Sequence, residues 1–246
     1  MKKNTFVMLT VLSMVFCSFS HAQVIEKSLG SFHRIVASPK INLILNHGEQ
    51  EAIKLVYQGV SSDAINIEVK GNTLSLYLDD ARIAEKHKRG NQYEKKGIYE
   101  QANITAYVTY EQLNYLEIRG NQELTCRDHL QAETFKLKAY GANEINLASI
   151  KTEYLKMHLY GENTLRIKDG KVEFQKYKLY GENRIDTRGL KSIATKATIY
   201  GESRIRVHSA DELHITSFGE ADVAYTGNAN VTKGLVFGKT KIRSTD

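Results

Sequence analysis

Tyr154-Leu155-Lys156-Met157-His158-Leu159-Tyr160-Gly161-Glu162-Asn163-Thr164-Leu165-Arg166-Ile167 is the stretch that decides the fold. Before Gly161, the apolar Leu155, Met157 and Leu159 alternate with Lys156, His158 and Tyr160; after it, Leu165 and Ile167 alternate with Thr164 and Arg166. A period of two is the signature of strands with one buried face, and no window here carries the 3.6-residue period of a helix. The stretch also recurs. Tyr140-Gly141-Ala142-Asn143, Tyr180-Gly181-Glu182-Asn183 and Tyr200-Gly201-Glu202-Ser203 repeat it, Phe218-Gly219-Glu220 and Phe237-Gly238-Lys239 are weaker copies, and Arg119-Gly120-Asn121 is a degenerate first one. Successive glycines are separated by 21, 20, 20, 20, 18 and 19 residues. The leucine spacing is wrong for a leucine-rich repeat, so the pattern predicts an all-β, parallel β-helix-like solenoid with coils of about 20 residues over 119–246.

Stacked coils place equivalent residues one strand spacing apart, ~4.8 Å, so each position of the repeat becomes a column. Glycine suits the corner because it tolerates positive φ and close backbone approach. Asn143, Asn163 and Asn183 suit a turn and are placed to form a stacked amide ladder. No helix follows these glycines, so they do not make a nucleotide-binding loop. Four positions before each aromatic lie Lys136, Lys156, Lys176, Lys196, His214 and Lys233; two before lie Lys138, His158, Lys178, Thr198 and Thr216. By alternation these share a face with Tyr140, Tyr160, Tyr180, Tyr200, Phe218 and Phe237. The candidate ligand-binding residues are therefore Lys136, Lys156, Lys176, Lys196, Tyr140, Tyr160, Tyr180 and Tyr200, a basic aromatic strip suited to an acidic polysaccharide or another envelope component. The plainer account is that Tyr stacks on Tyr to support the coils while Lys keeps an exposed sheet solvated. Glu162, Glu182, Glu202 and Glu220 form a further column, whose repulsion Arg184 and Arg204 are near enough in sequence to neutralise.

Upstream, Ile41–Leu45, Ala52–Tyr57, Ile65–Val69 and Leu74–Leu78 read as short strands, the last two forming a hairpin turned at Lys70–Thr73. Residues 79–101 are a charged insertion, an exposed loop or short helix, before strand character returns at Ile104–Tyr110. The domain organisation expected is an N-terminal β region over 23–118 leading into the repeat.

Lys2 and Lys3 precede an apolar run from Phe6 to Phe19, and Ser20-His21-Ala22 offers a cleavage site, so residues 1–22 read as an export signal too short to span a bilayer. Bulky Met14, Val15 and Phe16 before Cys17 do not suit a lipoprotein signal. Its removal leaves Cys126 as the lone thiol, precluding an intramolecular disulfide, and loss of the two lysines lowers the formal charge from +6 to +4. Mild basicity at an exported address disfavours nucleic acid as partner and points to a periplasmic, outer-membrane-associated or extracellular protein. The 41% hydrophobic content of the 246 residues suffices for a packed core. Histidines at 33, 47, 87, 129, 158, 208 and 214 lack paired metal-ligand spacing, Cys126 with His129 is too sparse for zinc, and no serine sits in a nucleophile elbow. No calcium loop is present either, so no cofactor, metal or catalytic residue is expected.

The order of segments resembles the putative auto-transporter adhesin, head GIN domain family of exported bacterial proteins. The resemblance is carried by Phe32-His33-Arg34-Ile35, Gly71-Asn72-Thr73-Leu74-Ser75-Leu76, Tyr107-Val108-Thr109-Tyr110 leading through Leu113 to Leu116-Glu117-Ile118-Arg119-Gly120, and Gly219-Glu220-Ala221-Asp222-Val223 with Gly227. Glu111 stands where the family often has Pro, and Glu162, Glu182 and Glu202 where it has small residues. The resemblance implies a parallel β-helix-like fold and an envelope or surface location, and carries over no catalytic residue.

A non-enzymatic, adhesin-like binding protein is the function expected. Two other classes are open: a polysaccharide lyase or hydrolase, which would gather carboxylates in a cleft, and a self-associating structural module, which would expose an uncovered solenoid end. Lys241–Asp246 is a candidate polar cap for that end, and the oligomeric state is open.

Overall fold

The computed structural model describes residues 22–84 and 97–245. The expected export signal, apart from Ala22, lies outside the described residues, as do 85–96 of the charged insertion and Asp246. The strands in chain order are β1 (Gln23–Ser28), β2 (Arg34–Ala37), β3 (Ile41–His47), β4 (Ala52–Gln58), β5 (Ile65–Lys70), β6 (Thr73–Leu78), β7 (Asn103–Tyr110), β8 (Tyr115–Gly120), β9 (Glu123–Gln131), β10 (Thr134–Thr187), β11 (Leu190–His208), β12 (Glu212–Thr226) and β13 (Asn230–Ser244). The great length of β10 arises because successive coils follow one another with scarcely a break in extended backbone.

The coils stack in parallel register at the spacing the repeat predicts. Tyr180 pairs with Tyr200 and Gly181 with Gly201, Tyr200 with Phe218, Phe218 with Phe237, and Gly141 with Gly120. In this coil alternation is obeyed, with Leu155, Met157, Leu159, Leu165 and Ile167 buried, and the apolar interior extends from Phe32 to Ala229. Corner geometry explains the invariant glycine. At Gly161, φ is 105°, and a Cβ there would lie 2.3 Å from the carbonyl oxygen of Gly141 on the coil below, so no other residue fits.

The first half joins the same stack in an unexpected order. β2 and β3 form a rung directly against β8 and β9, with Arg34 paired to Tyr115 and Leu43 to Leu124. On their other side β2 and β3 pair with β6 and β7, again in parallel. A rung early in the chain is therefore sandwiched between two laid down later, and Pro39 occupies the corner beneath Gly120. Antiparallel strands then close this end. β4 pairs with β7 and β1 with β4, while β5 pairs with β6 across the predicted hairpin, whose Gly71 and Asn72 both have positive φ (54° and 59°), as a type I′ turn requires.

At the opposite end, Lys241–Ser244 is part of the last rung: Lys241 pairs with Asp222 and Ser244 with Tyr225. The expected polar cap is thus a strand of the stack rather than a cover over it, and Leu235 and Phe237 of β13 remain 65% and 61% exposed.

Candidate functional site

The faces of the coils follow from alternation. Residues preceding each corner aromatic by an even number point outward, and ring stacking shows how strictly they align. Tyr140, Tyr160, Tyr180, Tyr200 and Phe218 form a continuous pile, with centroids 4.8 to 4.9 Å apart and ring planes within 7°. Phe237 extends it at 5.4 Å. Because each ring is covered by the next, the pile presents edges and hydroxyls to solvent, and its flat faces are spent on one another. Where the pile ends below Tyr140, Arg119 takes the aromatic's place.

The lysine columns run alongside. Lys136 stands above Tyr115, Lys138 above Glu117, Lys176 below Lys196, and Lys196 below His214. Lys233 departs from the expected column: a bulge between Ile215 and Ser217 sets Thr232 opposite His214, and the two are bonded at 2.9 Å. Among the described residues Lys138 approaches a carboxylate, Glu117 at 3.9 Å, while Lys136, Lys156, Lys176, Lys178 and Lys196 have none in ion-pair contact. The resulting field falls on His158. Burial first, and then the ammonium groups of Lys136, Lys178, Lys138 and Lys176, push its imidazole down to about 4, so it is neutral at pH 7. Lys136 is itself held below its ordinary value by burial and by Lys138, Lys156 and Arg34.

Glu117 anchors one end of this face. It is 6% exposed, accepts a hydrogen bond from the Tyr115 hydroxyl, and is gripped by Arg119 through Nε at 2.8 Å and Nη2 at 2.6 Å. Burial alone would raise the Glu117 carboxyl, but those hydrogen bonds and the charges of Arg119 and Lys138 outweigh it and hold it below the ordinary carboxylate value. Arg34 lies 4.0 Å over the Tyr115 ring.

Two groupings escaped the sequence reading. The first is outward: Tyr154 and Phe174 stack at 5.4 Å in a column beside the lysines. The second is interior, where the Tyr177 hydroxyl donates to Gln175 at 2.7 Å and meets Thr187 at 2.9 Å, while the Gln175 amide donates to Ser192, Thr195 and the His208 carbonyl. Gln175 and Tyr177 sit at inward positions, and the break in apolar alternation was the available signal.

On the second side of the coils, Arg184 and Arg204 form no ion pair with the glutamate column among the described residues, and its member Glu220 is met by a lysine instead. Arg204 pairs with Asp222 at 3.7 Å, Arg166 with Glu144 at 2.8 Å, and Glu220 with Lys239 at 3.8 Å. Side chains two residues apart along a strand stand on the same face, so Arg204 reaches across a rung to Asp222 in its own column and Arg166 reaches diagonally to Glu144, rather than back to the corner. The predicted amide ladder does form. Asn143 donates to Asn163 at 2.8 Å and Asn163 to Asn183 at 3.2 Å, all three buried. Among the described residues, no helix is long and apolar enough to cross a membrane, and no group of three or more His, Cys, Asp or Glu is arranged to hold a metal ion.

Comparison with known proteins gives a family match over residues 31–229, to the family described as putative auto-transporter adhesin, head GIN domain. No curated protein matches the chain. Among solved structures, a putative adhesin from Bacteroides fragilis superposes with a TM-score of 0.74 at 17% identity, covering 92% of this chain and 97% of that one. A putative adhesin from Parabacteroides merdae gives 0.64 at 16% identity, covering 92% and 96%. A protein from Parabacteroides distasonis described as a putative lipid binding protein gives 0.67 at 12% identity, covering 93% and 98%. At these identities the likeness is one of fold.

Proposed function

Because the chain belongs to the putative auto-transporter adhesin, head GIN domain family, we propose that it is an exported, non-enzymatic binding protein whose Lys/Tyr face recognises an acidic polysaccharide of the cell envelope or its surroundings. One observation carries the reading: among the described residues, five lysines on a single face, Lys136, Lys156, Lys176, Lys178 and Lys196, have no carboxylate in ion-pair contact, and burial together with the nearby ammonium groups of Lys136, Lys178, Lys138 and Lys176 lowers the His158 imidazole. Two unit charges held one strand spacing apart, ~4.8 Å, repel by about 0.9 kcal/mol even in bulk water, so the lysine columns are under a load that a linear polyanion relieves. The stacked rings supply a rigid floor, and their hydroxyl edges can bond to sugar hydroxyls.

The test is binding of polygalacturonate and of neutral dextran to immobilised protein at several salt concentrations. The expected result is polygalacturonate binding that weakens as salt rises, drops at least tenfold in the triple variant Lys156→Gln, Lys176→Gln, Lys196→Gln, and has no dextran counterpart. Equal binding by parent and triple variant, or none by either, would refute the assignment.

A further inference from the structure

The Tyr154–Phe174 column stops abruptly, and the way it stops describes a ligand. The residue paired with Phe174 on the next coil is Ala194, and the residue beyond Ala194 is Glu212. One face of the Phe174 ring is covered by Tyr154, at 5.4 Å and 15°. The other looks over the Ala194 methyl into a depression of about 350 Å³, which reaches Lys176, Lys196, Glu212 and His214. Phe174 is 44% exposed. Unlike the corner tyrosines, whose faces are covered by one another, this ring offers an open face at the end of a stack.

We propose that this step is a sugar subsite: a hexuronate ring seats over Ala194, taking the place the next aromatic of the column would hold. The assignment deepens the polysaccharide reading above and rests on it. Three features select the ligand. Phe174 and Glu212 stand two strand spacings apart, ~9.6 Å, which leaves over Ala194 the slot of a single ring lying flat on Phe174, and the axial C–H face of a pyranose is the natural partner of an aromatic face. Glu212 closes the far side with a carboxylate, an acceptor for the hydroxyls such a ring carries. Lys176 and Lys196, paired with each other in the neighbouring column, supply two ammonium groups for the ring's carboxylate. A flat apolar ring would leave Glu212 without a donor, and an inorganic anion would leave the Phe174 face bare, so the combination favours an acidic saccharide over either.

The deciding substitution is Ala194→Tyr, which completes the aromatic column with the protein's own ring. Tetragalacturonate and its carboxyl-reduced neutral counterpart serve as probes, titrated by calorimetry into parent, Ala194→Tyr and Phe174→Ala proteins, with melting temperature as the folding control. The expected outcome is tetragalacturonate binding by the parent, at least tenfold weaker for the neutral probe, and at least tenfold weaker in both variants, with Ala194→Tyr melting no lower than the parent. Tetragalacturonate binding by Ala194→Tyr and Phe174→Ala equal to that of the parent overturns the subsite, as does equal affinity of the parent for the neutral probe. Should Ala194→Tyr fail to fold, Phe174→Ala decides alone. If long polygalacturonate binds in the lysine-dependent manner while the tetramer ignores both variants, the subsite falls and the broader reading stands. If neither polymer nor tetramer binds the parent, both fall.

Discussion

Replacing Asn163 with leucine isolates what the buried amide ladder contributes. Asn163 is 2% exposed, accepts from Asn143 at 2.8 Å and donates to Asn183 at 3.2 Å. Leucine shares the branch at Cγ and is larger, so no cavity opens and the loss counted is polar. Asn143 keeps a fallback, since its amide also donates to the Tyr140 carbonyl at 3.3 Å. The Asn183 side-chain oxygen has no such substitute. An orphaned buried acceptor costs about 1–3 kcal/mol, and the net loss of a hydrogen bond adds about 1 kcal/mol, giving a destabilisation of about 3 kcal/mol. For a chain of this size that lowers the melting temperature by ~6–12 °C. The converse substitution lies one rung on, where the Ser203 hydroxyl is buried without a hydrogen-bond partner. Ser203→Asn lets Asn183 donate to a fourth amide and should raise stability by about 1 kcal/mol. Circular dichroism melts and urea midpoints measure both changes. If Asn163→Leu and Ser203→Asn each leave the midpoint unmoved, the ladder is decoration and the energetic account of the corner is wrong.

Gly161→Ala should cost at least ~3 kcal/mol, since the new methyl meets backbone at 2.3 Å in a positive-φ corner, whereas Gly30→Ala, with nothing within 4 Å, should change the urea midpoint little. Cys126 is 1% exposed and its thiol is pushed up by burial, so Ellman's reagent should label it at the rate of global unfolding and not before; fast labelling of the native protein would contradict its burial. His158 has a folded value of about 4 against 6.5 when unfolded, so between those limits the unfolded chain takes up a proton that the folded chain refuses. Stability should therefore decline as pH falls from about 6.5 toward 4, and His158→Gln should flatten that decline in pH-dependent melts.

The repeat made the coil height, the inward and outward columns and the amide ladder legible before any coordinates, because each depends on a residue recurring at one spacing. Features that depend on a residue failing to recur were harder to see. The open face of Phe174 exists because position 194 is alanine, and the interior network exists because Gln175 and Tyr177 interrupt an apolar column. Ion pairing was misjudged for a different reason: proximity in sequence suggested Arg184 and Arg204 for the corner glutamates, while strand geometry directs Arg204 to Asp222. The sandwiched rung was not legible either, since Pro39-Lys40 carries the corner in place of the glycine motif, and Lys40 reaches positive φ (74°) without being glycine.

That sandwiched rung imposes a schedule on assembly. The segment from Arg34 to His47 is made early, yet its partners on one side lie 81 residues further along, as the His47 to Asp128 bond marks. Closing such a loop costs about 1.2 kcal/mol more chain entropy than closing one of twenty residues. The later coils, each needing only its immediate predecessor, can add like links of a growing chain. A chain laid down from its amino end can therefore cover one edge of β2 with β6 once residue 76 exists and one edge of β3 with β7 once residue 110 exists, but the opposite edge of that rung stays open until about residue 126. Refolding should show a slow phase that vanishes when β1 to β3 are already docked, with the remaining coils following quickly behind.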